Sequence, residues 1–398
     1  MSADIVDFDP YTSGESVPHA LFAEMRAQCP VARIPIGWYL ARLDDVVTAS
    51  KMVDTFVASF RAPGVVVPEE EKFVSEIAGA RHGRIRRVIN GAVAHHRSVR
   101  LEPFVRELCQ EYLEPIVRRG HGELVAELTA PIPINVIAQF TGVPRTDWGQ
   151  FRRWSDEIVS GTYPALHRNE RGEGLAGAHP EFAGYIDDLI AARAASADPP
   201  DDLVTRLMDA DIDGRRLSPV EVRTQLAFII LAGNETTRQL LGNLLVRVAT
   251  DRTLFDQLQR DRSLIERAVE ESLRIDPPFP MLMRNVEHDA TIFGPHMCPG
   301  EKVVFGLASA NRDEAAYDEP DRFALDRPNW REHVAFGAGP HVCPGASLAR
   351  LEGQVLLETF LDRVDEVTPE PGWAPRKTPV FFTNGPIDLP VRVVGATS

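Results

Sequence analysis

The sequence is poor in cysteine, with four in 398 residues and no two spaced as Cys-x-x-Cys. That excludes the disulfide framework of a small secreted protein and fits a reducing compartment. Long apolar runs are missing too. The first residues, MSADIVDFDPYTSGESVPHALF, hold neither a signal segment nor an anchor, so a soluble cytoplasmic protein without a membrane anchor is expected. Basic residues are in deficit, 43 Lys and Arg against 58 Asp and Glu for a formal charge of −15, which argues against nucleic acid as a partner. No Gly/Ser linker, low-complexity tract or domain-sized repeat divides the chain, so a single domain over 1–398 is expected.

What is present is helical spacing. Leu101, Phe104, Val105, Leu108, Tyr112 and Ile116 recur at three and four, as do Leu226, Ile229, Ile230, Leu240, Leu241 and Leu244. Strand signals are few and short: residues 31–40, the stretch 290–304, and 380–394. The fold class read from this is mainly α with small β-sheets. Residues 62–71 and 160–180 read as loops that could border a site, and the proline-punctuated end, Pro369 to Pro390, as ordered coil.

One six-residue pattern occurs twice, PHMCPG at 295–300 and PHVCPG at 340–345. The two His-x-Cys arms could form a Cys2His2 zinc site from His296, Cys298, His341 and Cys343. Their flanks differ. After Cys343 the residues Leu348, Leu351, Val355, Leu356 and Phe360 have helical spacing, which puts this cysteine at a helix N-terminus, where free amides and the dipole favour a thiolate. Cys298 lies between Thr291-Ile292-Phe293-Gly294 and Glu301-Lys302-Val303-Val304-Phe305, the pattern of a hairpin turn between two short strands.

Residues 336–345 read Phe-Gly-x-Gly-x-His-x-Cys-x-Gly and lead to Leu348-Ala349-Arg350. This resembles the haem-binding signature of the cytochrome P450 family. The resemblance implies that Cys343 is the thiolate ligand of haem iron, that His341 bonds a haem propionate, that Phe336 packs near the ligand and that Gly345 allows close backbone approach. Other segments resemble family motifs in the family's order. Ala232-Gly233-Asn234-Glu235-Thr236-Thr237 looks like the oxygen-activation motif: Gly233 leaves room by the iron, Thr236 hydrogen-bonds dioxygen and Glu235 passes protons inward. Glu271 and Arg274 match the Glu-x-x-Arg pair, completed by 310–313, Pro320, Phe323 and Arg327; Arg284 resembles a propionate-binding arginine. His82 and Arg86 fit a His-x-x-x-Arg pair that meets a propionate from another helix, although the preceding Ile-Ala-Gly-Ala departs from the family's usual lead-in.

The resemblance, carried by residues 80–360, implies a fold with the haem sandwiched between a long central helix and the cysteine-loop helix. It places a β-rich N-terminal part at about 30–70, a helical core at about 80–280 and the haem-binding cysteine segment at 333–362. It implies haem b as cofactor, O2 as co-substrate, and hydroxylation of a mostly apolar small substrate of steroid, terpenoid, fatty acid or aromatic type. A peroxide-dependent or non-catalytic haem-binding member is the alternative. No strand-turn-helix dinucleotide unit built on GxGxxG is read in the chain, so electrons from NAD(P)H are expected through a separate ferredoxin and ferredoxin reductase. The stretch 81–100, with six arginines, three histidines and no acid, could serve propionates and an acidic partner, and the alternative is a solvated basic helix face. The substrate pocket is expected around 62–80, 160–185, 229–237 and 278–283.

Overall fold

The protein is described by a computed structural model covering residues 6–10, 17–59, 61, 63–93, 98–157, 179–377 and 383–396. In chain order its main elements are α1 (His19–Gln28), β1 (Val31–Ile34), β2 (Gly37–Leu40), α2 (Leu43–Lys51), β3 (Phe56–Ala58), α3 (Gly79–Ala92), α4 (Glu102–Arg119) and β4 (His121–Glu123). There follow α5 (Pro131–Thr141), α6 (Trp148–Glu157), α7 (Pro180–Ala195), α8 (Leu203–Asp209), β5 (Asp211–Ile212), β6 (Arg215–Arg216) and α9 (Pro219–Thr250). The last part holds α10 (Arg252–Arg260), α11 (Ile265–Ile275), β7 (Leu282–Val286), β8 (Lys302–Phe305), α12 (Leu307–Ala310), α13 (Ala346–Arg363), β9 (Val364–Pro369) and β10 (Pro390–Gly395).

These elements fall into two compact units. The first comprises Met1–Phe60, Val99–Ile132 and Thr236–Ser398; the second comprises Arg61–Ser98 and Pro133–Glu235. The first unit is built on a five-stranded sheet in the order β1-β2-β8-β7-β3, in which only the β2–β8 pair is parallel. Both faces of this sheet are covered. Trp38, Leu40, Val303 and Phe305 enter one core with Val46, Phe56 and Val334, while Tyr39 and Val304 enter the other with Phe22, Met25 and Met281. That is why Trp-Tyr-Leu and Val-Val-Phe read as continuous apolar runs rather than alternating ones. Helix α13 packs against α4 and α11 in the same unit.

The second unit carries α3, α5 to α8 and most of α9. Helix α9 starts at a capping box: Ser218 N–H donates to Glu221 Oε2 (2.7 Å), Glu221 N–H donates to Ser218 Oγ (3.2 Å), and Pro219 takes the first helical position. Its 32 residues then run unbroken through the Ala232–Thr237 motif.

Three expectations are amended. The strand signal at 380–394 narrows to β10, which pairs antiparallel with β4 and with β9, a strand the sequence reading did not give; buried Val364, Val367, Val391 and Val393 line this sheet, and the proline-punctuated stretch runs between β9 and β10. The PHMCPG turn is closed by one bridge, Ala290 to Met297, and not by two strands, since β8 pairs instead with β7 and β2. Most of the 160–180 loop lies outside the described residues, as do residues 60 and 62 near the other loop.

Candidate functional site

Cys343 sits three residues before α13, in a loop whose shape depends on glycine. Gly337 and Gly339 have φ of +72° and +68°, and a Cβ on Gly339 would lie 2.4 Å from the Ser50 carbonyl oxygen of α2. The loop folds back on itself: Cys343 N–H donates to Phe336 O (2.8 Å) and Gly337 N–H to Val334 O (2.8 Å). The Cys343 side chain is exposed, with the first turn of α13 following it, so the expected helix N-terminus is present. Gly345 is the N-cap, and a Cβ there would lie 3.8 Å from Cys343 Sγ.

Two neighbouring acids of α11 fix this loop. Glu271 and Arg274 are fully buried and joined by two hydrogen bonds of 2.8 Å, and Arg327 Nε reaches Glu271 Oε1 at 3.2 Å. Arg274 also donates to the carbonyls of Asn311 and Pro320 (2.8 Å each) and lies over the Tyr317 ring. Asn311 then accepts the Val334 N–H at 2.7 Å through its side chain, which ties the ion-pair network to the start of the cysteine loop. Glu270, also fully buried, accepts from Arg350 of α13 (Nη2 to Oε2, 3.0 Å) and lies 2.9 Å from His333 Nε2. Burial pushes the Glu270 carboxyl up, but His333 and Arg350 together outweigh it and hold the group at about 2. Arg350 in turn stacks its guanidinium on the Phe336 ring at 4.6 Å. The sequence reading missed Glu270 and His333. The available signal was a second acid beside the Glu-x-x-Arg pair and a histidine three residues before Phe336.

Arg284 on β7 is buried, and its hydrogen bond goes to the neighbouring Met283 carbonyl (2.8 Å), with the Phe305 ring 5.2 Å from its guanidinium. Among the described residues no carboxylate pairs with it. Burial lowers its pKa to about 10, which marks the cost of holding the charge without a counter-ion. A buried cation of this kind fits a carboxylate from a bound group, so the residues present suit haem propionates. In the second unit, His82 and Arg86 share one face of α3; His82 is buried, its pKa lowered by burial and then by Arg86. Arg86 Nε donates to Asn90 (3.0 Å). Part of the basic stretch is neutralised internally: Arg81 pairs with Asp213 (3.0 Å) and Glu221, and Arg84 pairs with Asp213.

On α9, Glu235 is buried and Thr236 half-buried. Gly233 has a packing reason for lacking a side chain, since a Cβ there would meet Ile137 Cδ1 of α5 at 2.6 Å. Asn234 Nδ2 donates to Ser155 Oγ of α6 (2.7 Å). About two and a half turns earlier, Gln225 clamps the 72–74 segment by accepting from Val74 N–H (2.7 Å) and donating to Lys72 O (2.8 Å), and Phe73 stacks on Phe228 at 5.0 Å. Sequence periodicity gave no sign of this clamp.

The first unit thus holds Thr236, Arg284, Phe336, His341, Cys343 and Gly345, and the second holds His82, Arg86, Gly233 and Glu235. The four-residue zinc site is not assembled: the cluster with metal-ligand spacing among the described residues joins His296 and Cys298 to Asp289, without His341 or Cys343. Met281 and Met283, expected near a pocket, are core residues beneath the five-stranded sheet, because strand alternation turns them away from half-buried Leu282. One GxGxxG string does occur, at 172–177; it lies outside the described residues and the described element before it is helix α6, not a strand. Among the described residues no helix is long and apolar enough to cross a membrane.

The family model for cytochrome P450 matches residues 164–381. The chain is 32% identical over 368 residues to a steroid C26-monooxygenase of Mycobacterium tuberculosis, covering 92% of this chain and 90% of that one. It is 31% identical to cytochrome P450 107B1 of Saccharopolyspora erythraea, over 92% and 91% of the two chains. Its structure is similar to that of cytochrome P450 CYP109Q5 from Chondromyces apiculatus, with a TM-score of 0.84, 31% identity and 96% of each chain covered. CYP109E1 from Bacillus megaterium, solved with corticosterone, aligns with a TM-score of 0.83 at 28% identity, over 94% of this chain and 98% of that one. With this likeness running through nearly the whole chain, and with the cysteine loop and its buried ion-pair network in place, the chain belongs to the cytochrome P450 family and is a monooxygenase of that family.

Proposed function

We propose that this monooxygenase hydroxylates a mostly apolar small molecule of steroid or terpenoid kind, with electrons passed from NAD(P)H through a ferredoxin and its reductase. The observation that carries the haem site is Arg284, a buried guanidinium with no carboxylate partner among the described residues. The substrate class draws support from the steroid named for the relative in Mycobacterium tuberculosis and from the corticosterone bound in the Bacillus megaterium structure. The apolar rings of Phe73 and Phe228, stacked at 5.0 Å, suit such a ligand. The proposal also takes residues 1–398 as one working domain, in the cytoplasm.

Bound haem supplies the activation of O2. In this proposal Cys343 Sγ donates to the iron as thiolate, favoured by the amides at the start of α13 and held by the Cys343 N–H bond to Phe336 O. Arg284, His341, His82 and Arg86 neutralise the propionates. Thr236 holds a proton at Oγ1, and Glu235 hands protons to it from its carboxyl group. The test is oxygen-dependent hydroxylation of steroid substrates with NADH, ferredoxin and reductase; turnover supported only by peroxide, or no turnover with any electron donor, refutes the electron route and favours the alternative reading.

A further inference from the structure

The first copy of the Pro-His-x-Cys-Pro-Gly string takes no part in the site above. Its side chains nonetheless converge. The Ala290 and Met297 backbones bond each other in both directions (3.0 and 2.8 Å), a register that sets Asp289 opposite Cys298, with His296 two positions before the cysteine. His296 Nε2 lies 2.7 Å from Asp289 Oδ1, and His296 Nδ1 lies 3.8 Å from Cys298 Sγ. One donor atom from each of the three lies within 4.8 Å of the others, and all three residues are exposed. The turn is anchored, because Cys298 N–H donates to Glu301 Oε2 (2.8 Å) and Glu301 is held by Trp38 Nε1 (2.9 Å) and Arg33 Nη1 (2.5 Å) of the adjoining strands.

Turn chemistry accounts for the proline and glycine of this string but not for a thiol, an imidazole and a carboxylate on one side of it. With Asp289 accepting from Nε2–H, the lone pair of His296 sits on Nδ1, on the side of Cys298 Sγ. In a tetrahedral zinc site with Zn–S near 2.3 Å and Zn–N near 2.0 Å, sulfur and nitrogen stand about 3.5 Å apart, a small side-chain adjustment from the arrangement here. A carboxylate on the far ring nitrogen is the usual outer partner of a metal-bound histidine. Sulfur and imidazole donors select zinc-like divalent ions over calcium or magnesium.

We propose that Cys298 and His296 bind a zinc-class divalent ion on this turn, with Asp289 orienting the imidazole, water completing the coordination, and the Cys298 thiol proton released on binding. The site is separate from the haem reading and does not depend on it.

The test uses haem-loaded protein and iodoacetamide, with alkylation of each cysteine followed by peptide mass spectrometry with and without zinc chloride. Zinc is expected to slow alkylation of Cys298 at least tenfold and to leave half-buried Cys29, the internal control, unchanged. Magnesium should protect neither. His296→Ala should abolish the protection, and Asp289→Asn should raise the zinc needed for half-protection by about 10- to 100-fold, the cost of losing an outer partner. An unaltered haem spectrum in each variant shows that it has folded. Equal Cys298 rates with and without zinc, equal slowing at Cys29, or protection surviving in His296→Ala would each overturn the proposal.

Discussion

Replacing Glu270 with glutamine removes one charge from a fully buried position between His333 and Arg350. A carboxyl whose ordinary value is 4.5 is held there at about 2. At about 1.36 kcal/mol per pH unit, that difference is worth about 3 kcal/mol of folding stability at pH 7. The sign follows from the direction: the folded value lies below the unfolded one, so the contribution is complete above pH 4.5 and is lost as pH falls towards 2. Urea unfolding of the haem-loaded parent and Glu270→Gln at pH 7 should therefore differ by about 3 kcal/mol, and the gap should fall to about half by pH 3. Because Arg350 also stacks on Phe336, whose carbonyl receives the Cys343 N–H, the variant should lose part of the thiolate signature in its reduced carbon monoxide spectrum. A gap under about 0.5 kcal/mol at pH 7, the range of ordinary surface changes, or a gap that widens on acidification, would refute the reasoning.

Arg284→Leu should speed haem loss to an acceptor apoprotein by roughly tenfold to a hundredfold, the worth of a charge-assisted hydrogen bond, while Arg284→Lys retains part of the affinity. Glu352 of α13 is buried with no hydrogen-bond partner for its Oε2 among the described residues, and burial raises its pKa well above 4.5. Its folded form resists ionisation, so the parent loses stability as pH rises above 4.5. Glu352→Gln should remove that slope and gain stability that grows with pH, read by thermal unfolding across pH 5 to 8 (roughly the range in which folded proteins are most stable). Cys343→Ala should abolish the haem-thiolate spectrum, whereas Cys298→Ala should keep it.

Much of the fold was legible because it rests on local signals. The spacing from Leu226 to Leu244 gave α9, and the run after Cys343 gave α13, since a buried helical stripe repeats in sequence whatever it packs against. Strand β9 was not legible: Val-Asp-Glu-Val-Thr-Pro buries two valines spaced by three, a pattern that makes sense only beside β10. The site divides the same way. Cys343 and its glycines are written as one contiguous string, but the partners of Glu270 lie 63 and 80 positions away, and its own neighbourhood shows only a second acid beside the Glu-x-x-Arg pair. Likewise, residues 278–283 are uniformly apolar, and only the pleat of β7 separates core Met281 and Met283 from half-buried Leu282.

The parallel pairing of β2 with β8 has a consequence for biosynthesis. Trp38, Tyr39 and Leu40 leave the ribosome early, and their partners Val303, Val304 and Phe305 follow roughly 260 residues later. At about 5 to 20 residues per second, one edge of β2 waits on the order of 10 to 50 s with its backbone groups unmatched. An apolar strand held open that long is a template for pairing between nascent chains. Yield of folded protein should therefore depend on chaperone supply and translation rate more than on the stability of the finished sheet.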